Sequence, residues 1–119
     1  FKVVLRGQKL GLKMLKAGVD GMKVHNKILN EFNKSNFITS FDNDKPQGFI
    51  HSTGHGLGLE IHEPPRISKV KEILKEGNVV TVEPGLYYSN IGGVRIEDTV
   101  VIEKSGIKNL TKFPKFFEV

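Results

Sequence analysis

Residues 54–65 read Gly-His-Gly-Leu-Gly-Leu-Glu-Ile-His-Glu-Pro-Pro, a run with three alternate glycines, two histidines and two terminal prolines. Glycine costs conformational entropy on folding, so alternate glycines are expected where something approaches the backbone closely, either a ligand or another strand. Pro64 and Pro65 forbid a helix at this point, and position 66 is Arg66. The His62-Glu63 pair therefore does not belong to a zinc-peptidase helix, which needs a second histidine at that position.

The composition is that of one globular domain. The chain has 119 residues, 38% of them hydrophobic, which is enough for one buried core but not for two. Its net charge of +5 is spread along the sequence without a basic stripe of interleaved aromatics, which disfavours nucleic-acid binding. The lack of cysteine excludes disulfides and thiolate metal sites and fits a reducing, cytoplasmic location. No apolar run reaches membrane-spanning length, so no membrane partner is expected.

The first third of the chain has a helical pattern. Apolar residues at helical spacing predict a helix over residues 1–17, and this pattern is already under way at Phe1, which suggests a chain truncated at its N-terminus. Asp20 is placed to cap a second helix with an apolar stripe through Ile28 and Phe32. A polar loop with Asp42 and Asp44 follows it.

The remainder has the pattern of strands. Extended segments are predicted over residues 49–51, 79–83 and 94–103, the last being the longest. The turn at residues 90–93 predicts a hairpin that pairs residues 83–89 with residues 93–102. The fold class is therefore α+β, with N-terminal helices followed by an antiparallel sheet.

Two glutamates on these strands are candidates for chemistry. Glu83 shares a strand face with Val79 and Thr81, and Glu97 lies on the returning strand on the same face as Arg95. Two partly buried carboxylates close together repel each other unless they share a proton, meet a cation or bind a metal. With His55 as a nitrogen ligand, this set suits Mn, Co, Fe or Zn. The alternative, equally open on spacing alone, is a salt bridge from Glu97 to Arg95 or to a lysine, and a loop histidine bonded to backbone.

Four stretches in order resemble one family. They are KAGV at 16–19, HSTGHGLGLEIHE at 51–63, VEPG at 82–85 and GVRIEDT at 93–99. Together they are similar to the C-terminal half of the pita-bread (creatinase/aminopeptidase) metallopeptidases, in the branch of Xaa-Pro dipeptidase (prolidase) and aminopeptidase P. The resemblance runs over nearly the whole chain, and it implies that residues 1–119 are the C-terminal part of a single catalytic domain.

The resemblance also implies roles for individual residues. His55, Glu83 and Glu97 would be metal ligands, with Glu97 bridging two divalent ions (Mn, Co, Zn or Fe). His51 and His62 would line the substrate pocket, and Arg95 would lie in the outer shell. The glycines would let the backbone pass close to metal and substrate. The implied reaction is hydrolysis of Xaa-Pro bonds in a dipeptide or short peptide by a metal-activated water, with Glu83 as general base and His62 assisting. A homodimer is a possible assembly.

One departure from the family pattern concerns two further ligands. The family supplies an Asp pair from strands that precede the first helix, and this chain contains no such pair, since Asp20 is a helix cap and Asp42 and Asp44 lie in a loop. We therefore expect the chain alone to be inactive. A non-catalytic relative that binds protein or nucleic acid is the alternative function. The metal-free creatinase branch is disfavoured, because it would have no use for both Glu83 and Glu97.

Overall fold

Two helices open the chain in the computed structural model, which describes residues 1–42 and 45–117. Helix α1 spans Lys2–Met14 and helix α2 spans Gly21–Lys34, so both predicted helices are confirmed, although α1 ends before residue 17. The Asp20 carboxylate accepts a hydrogen bond from the backbone N–H of Met22 (3.0 Å), as expected of an N-cap. Asp20 therefore serves as the N-cap of α2, as predicted. Asp44 lies outside the described residues.

The helices pack closely because α1 carries two glycines one turn apart. A side chain at Gly7 would collide with the ring of Phe32, and one at Gly11 would collide with Ile28. Both partners lie on the predicted apolar stripe of α2 and are fully buried. The bare face of α1 thus lets the large side chains of α2 reach its backbone.

Seven strands follow within the described ranges. They are β1 (Gly54–Gly56), β2 (Glu63–Ile67), β3 (Val79–Val82), β4 (Gly85–Tyr88), β5 (Gly92–Arg95), β6 (Asp98–Glu103) and β7 (Gly106–Asn109). Five of them form an antiparallel sheet in the order β2-β1-β3-β6-β7, and β4 pairs with β5 in a separate two-stranded sheet. The strand with Pro64 and Pro65 lies at the sheet edge, where proline's missing N–H does least harm.

The predicted hairpin is correct only at its turn end. Strands β4 and β5 pair as an antiparallel hairpin, with Gly85 opposite Arg95. The prediction of one extended segment over residues 94–103 is wrong, because the chain leaves this hairpin after Arg95 and β6 pairs with β3 instead. Strand β6 has the buried β-branched residues of a central strand, and its place between β3 and β7 covers them. Val82 of β3 lies opposite Asp98 of β6. Glu83, which follows Val82, and Glu97, which precedes Asp98, therefore lie at the same end of this strand pair.

Residues 49–51 do not form the expected strand. Gly48 makes only an isolated bridge to Tyr87, and the chain becomes a regular strand only at Gly54. The segment is held mainly by Phe49, which is buried in the core.

The core lies between α2 and the five-stranded sheet. Its buried members include Ile28 and Phe32 from α2 and Val80, Val82 and Val100 from the sheet. No helix in the described part of the chain is long and apolar enough to span a membrane. Of the site residues, His55 and Arg95 lie on strands, and Glu83 and Glu97 lie directly next to the ends of β3 and β6.

Candidate metal and substrate site

The alternate glycines are explained by neighbouring strands. A side chain at Gly54 would collide with the carbonyl oxygen of Thr81 in β3, and one at Gly56 would collide with the carbonyl oxygen of Pro64 in β2. Gly58 faces the carboxylate of Glu63 in the same way. Of the two possibilities, the structure shows another strand at Gly54 and Gly56. Strand β1 thus lies between two close backbones, and Gly54 also lines the cavity described below, so the expectation that these glycines let the backbone pass close to metal and substrate stays a prediction.

His55 is oriented by the strand on which it lies. Its Nδ1 is 3.0 Å from the carbonyl oxygen of Gly56, and its Nε2 is 3.1 Å from Oε1 of Glu83. The carbonyl oxygen can only accept, so Nδ1–H donates to it and Nε2 faces the glutamate. A nitrogen lone pair and a carboxylate oxygen at this distance need a proton or a cation between them. Metal-bound histidines commonly donate their other ring N–H to a backbone carbonyl in this manner.

Thr81 connects His55 with Glu83. Its hydroxyl oxygen accepts the backbone N–H of His55 (3.0 Å), and its hydroxyl donates to Oε1 of Glu83 (3.0 Å). The backbone N–H of Glu83 in turn donates to the carbonyl oxygen of Thr53 (2.7 Å). The buried hydroxyl thus fixes both predicted ligands relative to the same strand.

Arg95 lies between the two glutamates. Its Nε is 3.7 Å from Oε2 of Glu83 and 3.7 Å from Oε2 of Glu97. The hydroxyl of Tyr87, through hydrogen bonding and charge, raises the pKa of Arg95, and both carboxylates add to this effect. The salt bridge that the sequence left open as an alternative is therefore present. It does not exclude a metal, because it also connects the two predicted carboxylate ligands.

The predicted ligands come together only in part. Within residues 1–42 and 45–117, no group of three or more His, Asp or Glu side chains is close enough to form a metal site. His55 and Glu83 are in contact, whereas Glu97 approaches them through Arg95.

A cavity of about 570 Å³ opens over these groups. It is lined by five predicted site residues, namely His51, His55, His62, Glu83 and Arg95, but not by Glu97. The ring of His62 meets that of His55 edge-on, with 4.7 Å between centroids. Nδ1 of His51 lies 2.7 Å from the carbonyl oxygen of Ser52, and its Nε2 lies 3.1 Å from the hydroxyl oxygen of Tyr87.

Sequence reasoning missed three residues of this site. Arg66 and Tyr87 line the cavity, and Thr81 joins the two ligands. Arg66 entered the sequence argument only to exclude a zinc-peptidase helix, although a cation directly after a proline pair in this segment was a usable signal. Tyr87 had no local signal, because its distance from His51 depends on how β4 folds back.

Comparisons with known proteins agree with the resemblance. Residues 1–104 match the metallopeptidase family M24. A Xaa-Pro dipeptidase from Pyrococcus furiosus is 44% identical over 116 residues, which are 94% of this chain and 30% of that protein. Among solved structures, the prolidase from Pyrococcus furiosus has a TM-score of 0.84 and 42% identity, and covers 97% of this chain and 32% of its own.

A second structural neighbour is the Xaa-Pro dipeptidase from Bacillus anthracis. It has a TM-score of 0.84 and 38% identity, and the match covers 97% of this chain and 30% of that one. The chain thus spans about 30% of the length of the relatives it matches. It belongs to metallopeptidase family M24 and has the α+β architecture of the C-terminal portion of its pita-bread fold.

Proposed function

We propose that the protein containing this chain is a metal-dependent peptidase that hydrolyses Xaa-Pro bonds in dipeptides or short peptides. The observation that carries the proposal is the 3.1 Å approach of His55 Nε2 to Glu83 Oε1 at the wall of a cavity. Two further histidines and two arginines line the same cavity, which gives it groups for substrate as well as for metal. The names of the matched dipeptidases support the substrate class.

His55, Glu83 and Glu97 would hold divalent metal as part of a two-ion site. One imidazole and two carboxylates, without sulfur, form a donor set suited to Mn, Co, Zn or Fe. The Gly56 carbonyl already occupies Nδ1 of His55, which leaves Nε2 as the ligand atom. We propose that this chain is the C-terminal part of a single catalytic domain and that an Asp pair elsewhere in the protein completes the set.

Bound divalent ions would activate a water and polarise the scissile carbonyl. Glu83, whose Oε1 is held by the Thr81 hydroxyl, would take a proton from the attacking water. His62 lies beside His55 and is exposed toward the cavity, so it can stabilise charge on the carbonyl oxygen or protonate the departing proline nitrogen. Arg95 would orient the carboxylates of Glu83 and Glu97 through its ion pairs with both.

The substrate would bind between the histidines. The hydroxyl of Tyr87 is hydrogen-bonded to His51 and not to His62. The position of the His51 side chain would therefore stay fixed when substrate binds, whereas the His62 side chain would adjust. A bond to proline has no N–H, and the pocket must therefore accept a tertiary amide and a rigid ring. A cytoplasmic location and a homodimer remain predictions.

The first test is metal dependence of the full-length protein. Hydrolysis of a dipeptide with C-terminal proline should disappear in excess chelator and return with Mn or Co, while the same dipeptide ending in alanine should remain a poor substrate. Activity that persists unchanged in chelator would overturn the proposal.

The second test separates ligand from catalytic group. His55→Ala should weaken metal binding by more than the roughly 10- to 100-fold expected from losing an outer-shell group. His62→Ala should retain metal and lower kcat by about 100-fold or more, the usual contribution of a positioned acid or base. Equal metal content in the unaltered protein and the His55 variant would refute the ligand assignment.

A further inference from the structure

A fourth histidine, outside the cavity wall described above, contacts the residue that leads into β1. His25 lies in α2 and is 1% exposed. Its Nδ1 is 3.0 Å from the hydroxyl oxygen of Thr53, which is itself fully buried. Within the described part of the chain, its Nε2 has no hydrogen-bond partner. The single hydrogen bond of a buried imidazole is therefore directed at Thr53.

The backbone of Thr53 is hydrogen-bonded to two neighbouring segments of the site. Its N–H donates to the carbonyl oxygen of Ile67 in β2 (2.8 Å), and its carbonyl oxygen accepts the N–H of Glu83 (2.7 Å). It also precedes His55 by two residues. A shift of Thr53 would therefore move Glu83 through a hydrogen bond and His55 through the chain.

The imidazole ring also supports the substrate wall. The ring of His25 packs against Phe49, with 4.9 Å between centroids, and Phe49 meets His51 edge-on at 5.5 Å. His51 is held in turn by Tyr87 at 3.1 Å. His25 is thus connected to the cavity in two ways. Its hydrogen bond to Thr53 leads to His55 and Glu83, and its packing against Phe49 leads to His51.

We propose that His25 is a positioning residue, whose hydrogen bond between Nδ1 and the Thr53 hydroxyl holds His55 and Glu83 in the geometry that binds metal. The inference rests on the proposed function, because it assigns His25 to the same site. The bond joins two neutral, buried groups, so its loss leaves a polar atom unsatisfied beside the site. Metal affinity is the property most sensitive to such a displacement.

The test exploits the position of the polar atom. Asn places a polar atom at the same branch as Nδ1, whereas Gln places it one bond further, near Nε2. In the full-length protein, His25→Phe and Thr53→Val should each weaken Mn²⁺ affinity, measured calorimetrically, by about 10- to 100-fold. His25→Asn should restore most of the loss, and His25→Gln should not.

Two further readouts distinguish positioning from general support. The visible spectrum of bound Co²⁺ should change in His25→Phe and return in His25→Asn. The double variant of His25→Phe and Thr53→Val should be no weaker than either single variant, because both remove one shared interaction. If His25→Phe does not fold, Thr53→Val and the contrast between Asn and Gln still decide the matter.

Failure of the two proposals can be told apart. Metal binding without hydrolysis of proline dipeptides by the unaltered protein would overturn the substrate but leave the His25 comparison intact. Additive losses in the double variant, or equal Mn²⁺ affinity in the Asn and Gln variants, would overturn the role of His25. Unaltered protein that binds no Mn²⁺ would overturn both.

Discussion

His55 and Glu83 occupy one half of the candidate site, and Arg95 and Glu97 occupy the other. In the closed half the two side chains are 17% and 14% exposed and 3.1 Å apart, and the Thr81 hydroxyl connects them. In the open half the side chains are 51% and 41% exposed and 3.7 Å apart. The closed half is positioned by strand backbones, whereas the open half depends on a long, exposed arginine.

The difference indicates how much of a metal site this chain can hold in place. A ligand whose supporting groups are buried keeps its geometry without the metal, whereas the side chain of an exposed glutamate such as Glu97 is oriented only when it binds a cation. Glu97 nevertheless has a buried neighbour. Asp98 is fully buried and pairs with Lys115 (2.7 Å) and with the Asn109 amide (3.0 Å).

The largest expected effect tests whether this neighbour anchors the open half. Lys115→Met leaves the buried Asp98 carboxylate without its cation and should lower the free energy of unfolding by about 3 to 5 kcal/mol. Lys108→Met, at an exposed position on β7, is the matched control and should change little. Denaturant unfolding of the full-length protein measures both. Equal effects of the two substitutions would show that the Asp98–Lys115 pair does not stabilise this end of β6.

The next effect concerns the buried support of the closed half. Burial, with smaller contributions from Lys69 and His51, lowers the pKa of His25 from 6.5 to about 4. Between these values the unfolded chain binds a proton that the folded chain does not, so stability is full above pH 6.5 and falls as the pH drops toward 4. The loss should be about 3 kcal/mol.

His25→Asn is the variant that isolates this contribution, because asparagine does not titrate. Thermal melts between pH 7.5 and 4 should show a smaller decline in the variant than in the unaltered protein. An identical decline in both proteins would mean that His25 is already protonated in the folded state or accessible to water.

The smallest effect is expected at the rim of the open half. Arg95→Gln removes two exposed ion pairs at 3.7 Å and should change the free energy of unfolding by less than about 1 kcal/mol. Arg6→Gln, which breaks an exposed pair with Glu31 on α2, is a control remote from the site. A loss at Arg95 as large as that of Lys115→Met would show that the exposed ion pairs stabilise the open half as strongly as the buried Asp98–Lys115 pair does.

Much of the fold was predictable from local sequence signals. Helix α2 is an example: its apolar stripe through Ile28 and Phe32 follows from residue spacing, and its Asp20 cap follows from the chemistry of a helix N-terminus. Both signals act within a few residues. The turn between β4 and β5 was found for the same reason. The ordered motifs also identified the family, and the structure brings five of the residues that they singled out to one cavity.

The errors arose where distant segments compete for the same partner. Residues 94–103 have a continuous strand pattern, and only the tertiary structure decides that β6 leaves β4 for β3. The glycines at 54 and 56 signalled a close approach without saying what approaches. Arg66 and Tyr87 reached the cavity wall through non-local packing that no spacing encodes.

The sequence by itself determined the helices, the tight turn and the identities of the candidate ligands, because caps, periodicity and side-chain chemistry are local properties. The tertiary structure decided which strands pair, why the glycines are bare, and which ligand is held firmly. Those outcomes depend on burial and on contacts between residues far apart in the chain, such as His25 with Thr53 and Lys115 with Asp98.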